Sequence, residues 1–379
     1  MAKDEGSGLV NARKVAMFQP HVSDAAIARV EQVLRGRWVG QGALVEEFER
    51  EVEKALGIPH AVAVNASSSA IRLALTLCGV RPGDEVITTP MTCTLTNHPI
   101  LEQFARVVFA DIQYDTGNLD PADVERRITP FTKAILCTHW GGQPPDLEEL
   151  NRIADRHGLA VIEDASEAFG ATYKGKPVGA VSRFAAFSFQ AIQIVTTGEG
   201  GILAVRDPAA NRQARVLRWY GIDRETRKPN GLGYYDFDIT SVGFGYHMTN
   251  IAAVIGIENL KQLGAQKSHR KAVAERYRNA FRGVPGITLL AERPDRESSN
   301  HFFTMHVENR YGFCGKMKER GIEASIVHYR NDAYSVFGGL RKDLPELERF
   351  DKSYIGLPTH MHLSPEDVEY IVDAVRSGW

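Results

Sequence analysis

Four short stretches concentrate the side chains that could do chemistry. The longest begins as an apolar run, Phe184-Ala-Ala-Phe-Ser188-Phe-Gln190-Ala-Ile-Gln193-Ile-Val. It continues through Thr196-Thr-Gly198-Glu199-Gly-Gly201 and re-enters a strand at Gly201-Ile-Leu-Ala-Val205. A strand that runs into a Gly/Thr-rich turn is where backbone and side chains approach a ligand closely. On pattern alone it is equally a hairpin-like loop. In the second stretch, Ala160-Val-Ile-Glu163-Asp164, an apolar strand ends on a carboxylate, with Glu167 three residues further on. In the third, Asn65-Ala-Ser67-Ser68-Ser69 opens the helical run Ile71-Arg-Leu-Ala-Leu. Small hydroxyl residues there make an anion site, because free N–H groups and the helix dipole face the same ligand. An ordinary serine N-cap fits the same residues. The fourth, Lys133-Ala-Ile-Leu-Cys-Thr-His139-Trp140-Gly-Gly, is a strand ending in polar and aromatic residues.

The elements that position these residues can be read in order. Ser23 caps a helix from Asp24, Trp38-Val-Gly-Gln-Gly42 ends it, and a second amphipathic helix starts near Glu46. Strands at 61–64, 84–88, 107–112, 133–138 and 160–164 alternate with helices at 71–75, 120–128 and 147–157. Alternation of this kind predicts a largely parallel sheet covered on both faces. In such sheets ligands sit beyond the carboxyl ends of the strands, where His139, Asp164 and Ser188 all fall. The charged run Ile257–Arg282 predicts one long helix between two units. Segments at 302–307, 321–327 and 365–377 suggest a smaller α+β domain, giving expected domains of 1–260 and 261–379. The first dozen residues are polar and expected to fray.

With 379 residues the chain can bury a full core or two unequal ones. A net charge of −2 argues against a general nucleic-acid or membrane-surface binder. No run has the length of a membrane span, and the first residues lack the apolar core of a signal peptide. Cys78, Cys93, Cys137 and Cys314 lack metal-ligand spacing, so no metal site is expected, and reduced thiols point to the cytoplasm.

Residues 188–201 resemble the signature of the DegT/DnrJ/EryC1/StrS family of sugar aminotransferases, and the resemblance spans about 38–375. It implies the aspartate-aminotransferase-like fold (fold type I, α/β) of pyridoxal phosphate (PLP) enzymes, with a large mostly parallel-sheet domain and a smaller C-terminal α+β domain. It also implies a homodimer with shared active sites, acting on an amino or keto sugar. Glu163-Asp164-Ala-Ser-Glu167-Ala-Phe-Gly170-Ala and Gly243-Phe-Gly245-Tyr246-His247-Met248-Thr-Asn250 match two further family stretches. So does Val327-His328-Tyr-Arg330-Asn331-Asp332. By this resemblance Asp164 meets the cofactor's ring nitrogen, Ser67, Ser68 and Ser188 hold its phosphate, and Cys93 lies over the ring.

Four positions depart from the family pattern. Gln193 stands where the family carries the lysine that anchors PLP covalently and shuttles the proton. Ser67 replaces a usual Gly, Glu167 a usual His or Gln, and Gly245 a residue that reaches the neighbouring subunit's phosphate site. An amide is neither a nucleophile nor a base near neutral pH, so ordinary transamination is not expected of this chain. Any PLP, or its amine form PMP, would be held noncovalently. Glu167, His139, His247 and His328 are the candidate replacement acids and bases, although each also reads as a polar loop residue. An engineered Lys-to-Gln change, a relative that has abandoned PLP, and a non-catalytic partner of an active paralogue are the competing readings.

Overall fold

The computed structural model describes residues 13–379. The expectation of fraying falls on residues 1–12, outside the described part. A seven-stranded sheet forms the centre, with strands β1 Ala61–Val64, β2 Glu85–Thr88, β3 Arg106–Phe109, β4 Thr132–Thr138, β5 Ala160–Asp164, β6 Phe184–Ser188 and β7 Gly201–Val205. Their spatial order is β1-β7-β6-β5-β4-β2-β3. The pairings β2–β3, β2–β4, β4–β5 and β5–β6 are parallel, and β7 runs antiparallel to both its neighbours. Strands β1, β5, β6 and β7 are buried along their whole length, as a sheet covered on both faces requires. The expected α/β fold with a mostly parallel sheet is therefore present.

Helices cover the two faces. Ser23 caps the helix Asp24–Gly36 by accepting from Ala26 N, as its position predicts. The helix Ala43–Leu56 turns Val45, Phe48, Val52 and Leu56 onto Ala61, Ala63 and Phe187. Full burial of such side chains stabilises the fold by about 1.5–3 kcal/mol each. The helix Leu147–His157 has the bounds that its apolar spacing predicts.

Two expectations are corrected. The helix expected over 257–282 is two, Asn250–Leu260 and Leu263–Phe281. The break follows Asn259, whose buried amide donates to Thr196 O while its Oδ1 accepts from Ser23 N. Anchored on both sides, the chain closes a tight turn from Gln262 N to Asn259 O instead of continuing the helix. The segment after β2, where the sequence reading placed no helix, contains the helix Thr94–Glu102 with Pro99 inside it. Proline removes one backbone donor there, which is why a proline reads as a helix boundary in sequence.

A second core lies around the three-stranded antiparallel sheet Ile287–Leu289, Phe303–Val307, Tyr354–Leu357. Helices Leu263–Phe281, Arg310–Glu319 and Pro365–Arg376 close it with Tyr277, Phe281, Phe313, Ile371 and Val375. Val15 belongs to this core and its N–H donates to Gly321 O, so the segment before the first helix packs on the C-terminal sheet.

Candidate functional site

The carboxyl ends of the parallel strands open onto a cavity of about 380 Å³. Residues Ser67, Cys93, His139, Asp164, Glu167, Ser188, Gln193 and His328 all line it. Eight of the eleven expected site residues thus meet, although they lie as far apart in sequence as 67 and 328.

The floor of one end is the helix Ser67–Leu77. Its N-cap is Ala66, which supplies no capping side chain. Among the described residues the N–H groups of Ser67, Ser68 and Ser69 have no partner, and the first bonded one is Ala70 N, to Ala66 O. Free donors at the positive end of a helix dipole form a receptor for an anionic group. The Thr-Thr-Gly-Glu-Gly-Gly turn presses against this terminus at Gly201. A Cβ there would stand 2.5 Å from Ala66 C and 2.7 Å from Ser67 N, so only glycine permits the approach. Ser188, at the end of β6, accepts a long bond from Gln190 N at 3.3 Å.

Asp164 ends β5 and is buried. Its Oδ2 accepts from Thr96 Oγ1 at 2.5 Å, and its Oδ1 from Ser166 Oγ at 2.5 Å and Ser166 N at 3.1 Å. Three donors hold the carboxylate in one orientation. Gln193 N bonds Gln190 O within the turn, and the side-chain Oε1 is buried without a donor. Among the described residues no lysine or arginine lines the cavity.

Glu167 and His328 pair across the far side. His328 Nε2 is 2.7 Å from Glu167 Oε1, while Glu167 Oε2 accepts from Gly141 N at 2.8 Å. His139 lies 3.0 Å from Glu163 Oε2 with both side chains fully buried, in an orientation that makes no hydrogen bond. Cys93 precedes the helix Thr94–Glu102, and burial, reinforced by the Asp164 and Glu167 carboxylates, pushes its thiol up. It is therefore a neutral packing group rather than a nucleophile.

Three expected residues lie outside the cavity. His247 pairs with Val64 in an isolated bridge and packs its ring on Trp219 at 4.0 Å. Burial, with Arg218 and Arg224 adding, holds it below the ordinary histidine range. Ser68 sits in the first turn of its helix and does not line the cavity. At Gly245 a Cβ would meet Tyr220 Oη at 2.7 Å, so the tyrosine occupies the space a side chain would need.

Sequence reading missed Thr96, Ser166, Trp140, Phe18 and His301, which also line the cavity. Ser166 was recoverable, because a hydroxyl two residues after an aspartate commonly closes an Asx-type turn. Phe18 and His301, which stack at 5.3 Å, arrive from opposite ends of the chain and carry no local signal. A neighbouring cavity of about 410 Å³ shares Trp140 but contains none of the expected residues.

A sequence description of the DegT/DnrJ/EryC1/StrS aminotransferase family matches residues 20–376. The chain belongs to this family. It is 34% identical over 360 residues to dTDP-3-amino-3,4,6-trideoxy-alpha-D-glucose transaminase of Streptomyces venezuelae, covering 93% of this chain and 91% of that one. Among solved structures, AtS13 of Actinomadura melliaura is 37% identical with a TM-score of 0.93, over 98% of this chain and 100% of that one. A putative sugar aminotransferase of Streptococcus pneumoniae, Spr1654, was solved in a PLP form. It is 28% identical with a TM-score of 0.89, over 96% and 98% of the two chains. The fold is that of the fold-type-I sugar aminotransferases. Among the described residues no helix is long and apolar enough to cross a membrane, and no group of three or more His, Cys, Asp or Glu is placed to hold a metal.

Proposed function

We propose that this chain is an enzyme of sugar-derived biosynthesis that binds PLP or PMP without a covalent anchor and acts on an amino or keto sugar, nucleotide-linked as in its relatives' names. One observation carries the reading: among the described residues Gln193 lines the cavity with a buried, unpartnered Oε1, and no lysine lines that cavity. The remaining residues fit the cofactor. The open Ser67 helix terminus with Ser67 and Ser188 suits its phosphate, and the Asp164 carboxylate suits a protonated ring nitrogen. When bound, the cofactor supplies an electron sink for the substrate carbon.

In this reading Thr96 and Ser166 keep Asp164 aimed, and the Gly201 contact keeps the turn on the helix terminus. Ser68, His247 and Gly245 lie outside this cavity and take no part in this reading. A homodimer is supported by the exposed apolar surface around 220–242, where Leu232 is 92% and Val242 87% exposed. A cytoplasmic setting is supported by four unpaired cysteines. Residues 261–379 form the smaller domain.

The test is the absorption spectrum of purified protein after loading with PLP or PMP and dialysis, followed by borohydride and mass analysis. The expected result is retained cofactor that borohydride does not fix to the protein, with fixation appearing in Gln193→Lys. Failure to retain either form overturns the reading. Fixation in the wild type would move the anchor to another lysine.

A further inference from the structure

We infer that His328, aimed by Glu167, is the base that removes and returns the proton at the amino-bearing carbon of the sugar. The inference rests on the preceding reading that the cavity binds such a sugar beside the cofactor. If Gln193 stands where relatives carry lysine, the amide cannot move a proton, and another group in the same cavity must do so.

The lining residues narrow the choice. Cys93 is held protonated by burial. Asp164 is committed to the cofactor's ring nitrogen in the preceding reading, and Thr96 and Ser166 hold it in that orientation. His139 is fully buried and turned toward Glu163. His301 is buried, and burial, then Arg270 and His328, keeps it well below the ordinary histidine range, which makes it a poor base. Glu199 is exposed at the rim.

His328 differs in being both open and oriented. Glu167 takes the Nε2 side at 2.7 Å, which leaves the lone pair on Nδ1. Nδ1 bonds none of the described residues and is not among the fully buried polar atoms, and the residue lines the cavity. The ring is held edge-on by Trp140 at 5.8 Å and Phe302 at 6.5 Å. Glu167 is itself fixed at both ends. Gly141 N donates to its carboxylate, and Ser299 Oγ donates to its carbonyl at 2.5 Å.

The turn is built around this pair. Gly142 adopts φ +93°, and a Cβ there would stand 1.9 Å from Ser299 Oγ and 2.8 Å from Glu167 O. Only glycine lets the Trp140-Gly-Gly turn close on Glu167. The arrangement repeats the logic of a carboxylate that fixes an imidazole's tautomer and shares the charge it gains.

The step balances. The C–H bond at the amino-bearing carbon would break with its proton going to His328 Nδ1, and its electron pair would go to the electron sink that a bound cofactor would supply. The imidazolium is then neutralised by Glu167. Return of the proton, or of a solvent deuteron, restores both partners.

The test is deuterium incorporation at that carbon, followed by NMR in D₂O with PLP-loaded protein. The probes are dTDP-3-amino-3,4,6-trideoxy-α-D-glucose and UDP-4-amino-4-deoxy-L-arabinose. Wild-type protein is expected to exchange at least one. His328→Asn is expected to slow exchange by roughly 10²–10⁴-fold while retaining cofactor, and free imidazole is expected to restore part of the rate. Glu167→Gln is expected to lower the saturated rate with the half-saturating sugar concentration unchanged, and Glu167→Asp to recover part of it. Wild-type-like exchange in His328→Asn, no imidazole rescue, or no exchange by the wild type would each overturn the inference. Cofactor lost on dialysis signals failure of the cofactor reading; cofactor retained with exchange unaffected by His328→Asn signals failure of this inference alone.

Discussion

Asp164→Asn separates the charge of the buried carboxylate from its shape. The three donors on Asp164, Thr96 Oγ1 and the Oγ and N of Ser166, account for the fold-side contacts. Asparagine keeps its oxygen on Ser166 N and Oγ, and the Thr96 hydroxyl can rotate to accept from its amide. The cost to the fold is then about one neutral hydrogen bond, ~1 kcal/mol. Toward a protonated ring nitrogen the loss is larger, because a charge-assisted bond contributes about 1.5–3 kcal/mol. That corresponds to a cofactor affinity weaker by roughly 10- to 150-fold. Titration of wild type and variant with PLP and with PMP, read by absorbance, measures the second quantity. Thermal unfolding without cofactor measures the first. Unchanged affinity would refute the assignment of Asp164 to the ring nitrogen. A large loss of stability with affinity intact would make it a structural carboxylate instead.

Gly201→Ala places a Cβ against the Ala66–Ser67 backbone, so the turn must move off the helix terminus. Phosphate and PLP binding by calorimetry should weaken at least tenfold, and unchanged binding would dissociate that contact from the anion site. Glu49 is buried and accepts from Ala63 N, Arg218 and Arg215, so Glu49→Ala leaves Arg218 uncompensated inside the protein. Chemical denaturation should show a loss of about 3–5 kcal/mol, and a loss below ~1 kcal/mol would contradict the buried-pair account. Burial pushes His306 and His360 down to about 4, so the folded state binds fewer protons there than the unfolded chain. Their contribution is complete above the unfolded histidine value of ~6.5 and is lost as pH falls toward about 4. The thermal midpoint should drop across that window, His306→Phe should flatten the drop, and a midpoint independent of pH would overturn the assignment.

Much of the site was legible because its chemistry sits where local patterns change. Asp164, Ser188 and Ser67 each lie where an apolar strand run gives way to polar residues, and a parallel sheet aligns those ends on one edge. His247 misled for the same reason, since a histidine in a family-like loop carries no sign of the Trp219 ring that covers it. The split at Lys261 and Gln262 was illegible because it depends on Asn259 reaching Thr196 and Ser23, over 60 and 230 residues away. The helix carrying Thr96 was hidden by Pro99.

Sequence alone determined the α/β class, the mostly parallel character of the sheet and the strand ends that carry His139 and Asp164, because period, glycine placement and capping residues act over a few neighbours. It also carried the family and the glutamine at 193. Only tertiary structure decided that Glu167 and His328, 161 residues apart, share a hydrogen bond. It likewise decided that Gly142 makes room for that pair and that Tyr220 fills the space beside Gly245. Such pairings arise when separate elements pack, so no local pattern encodes them.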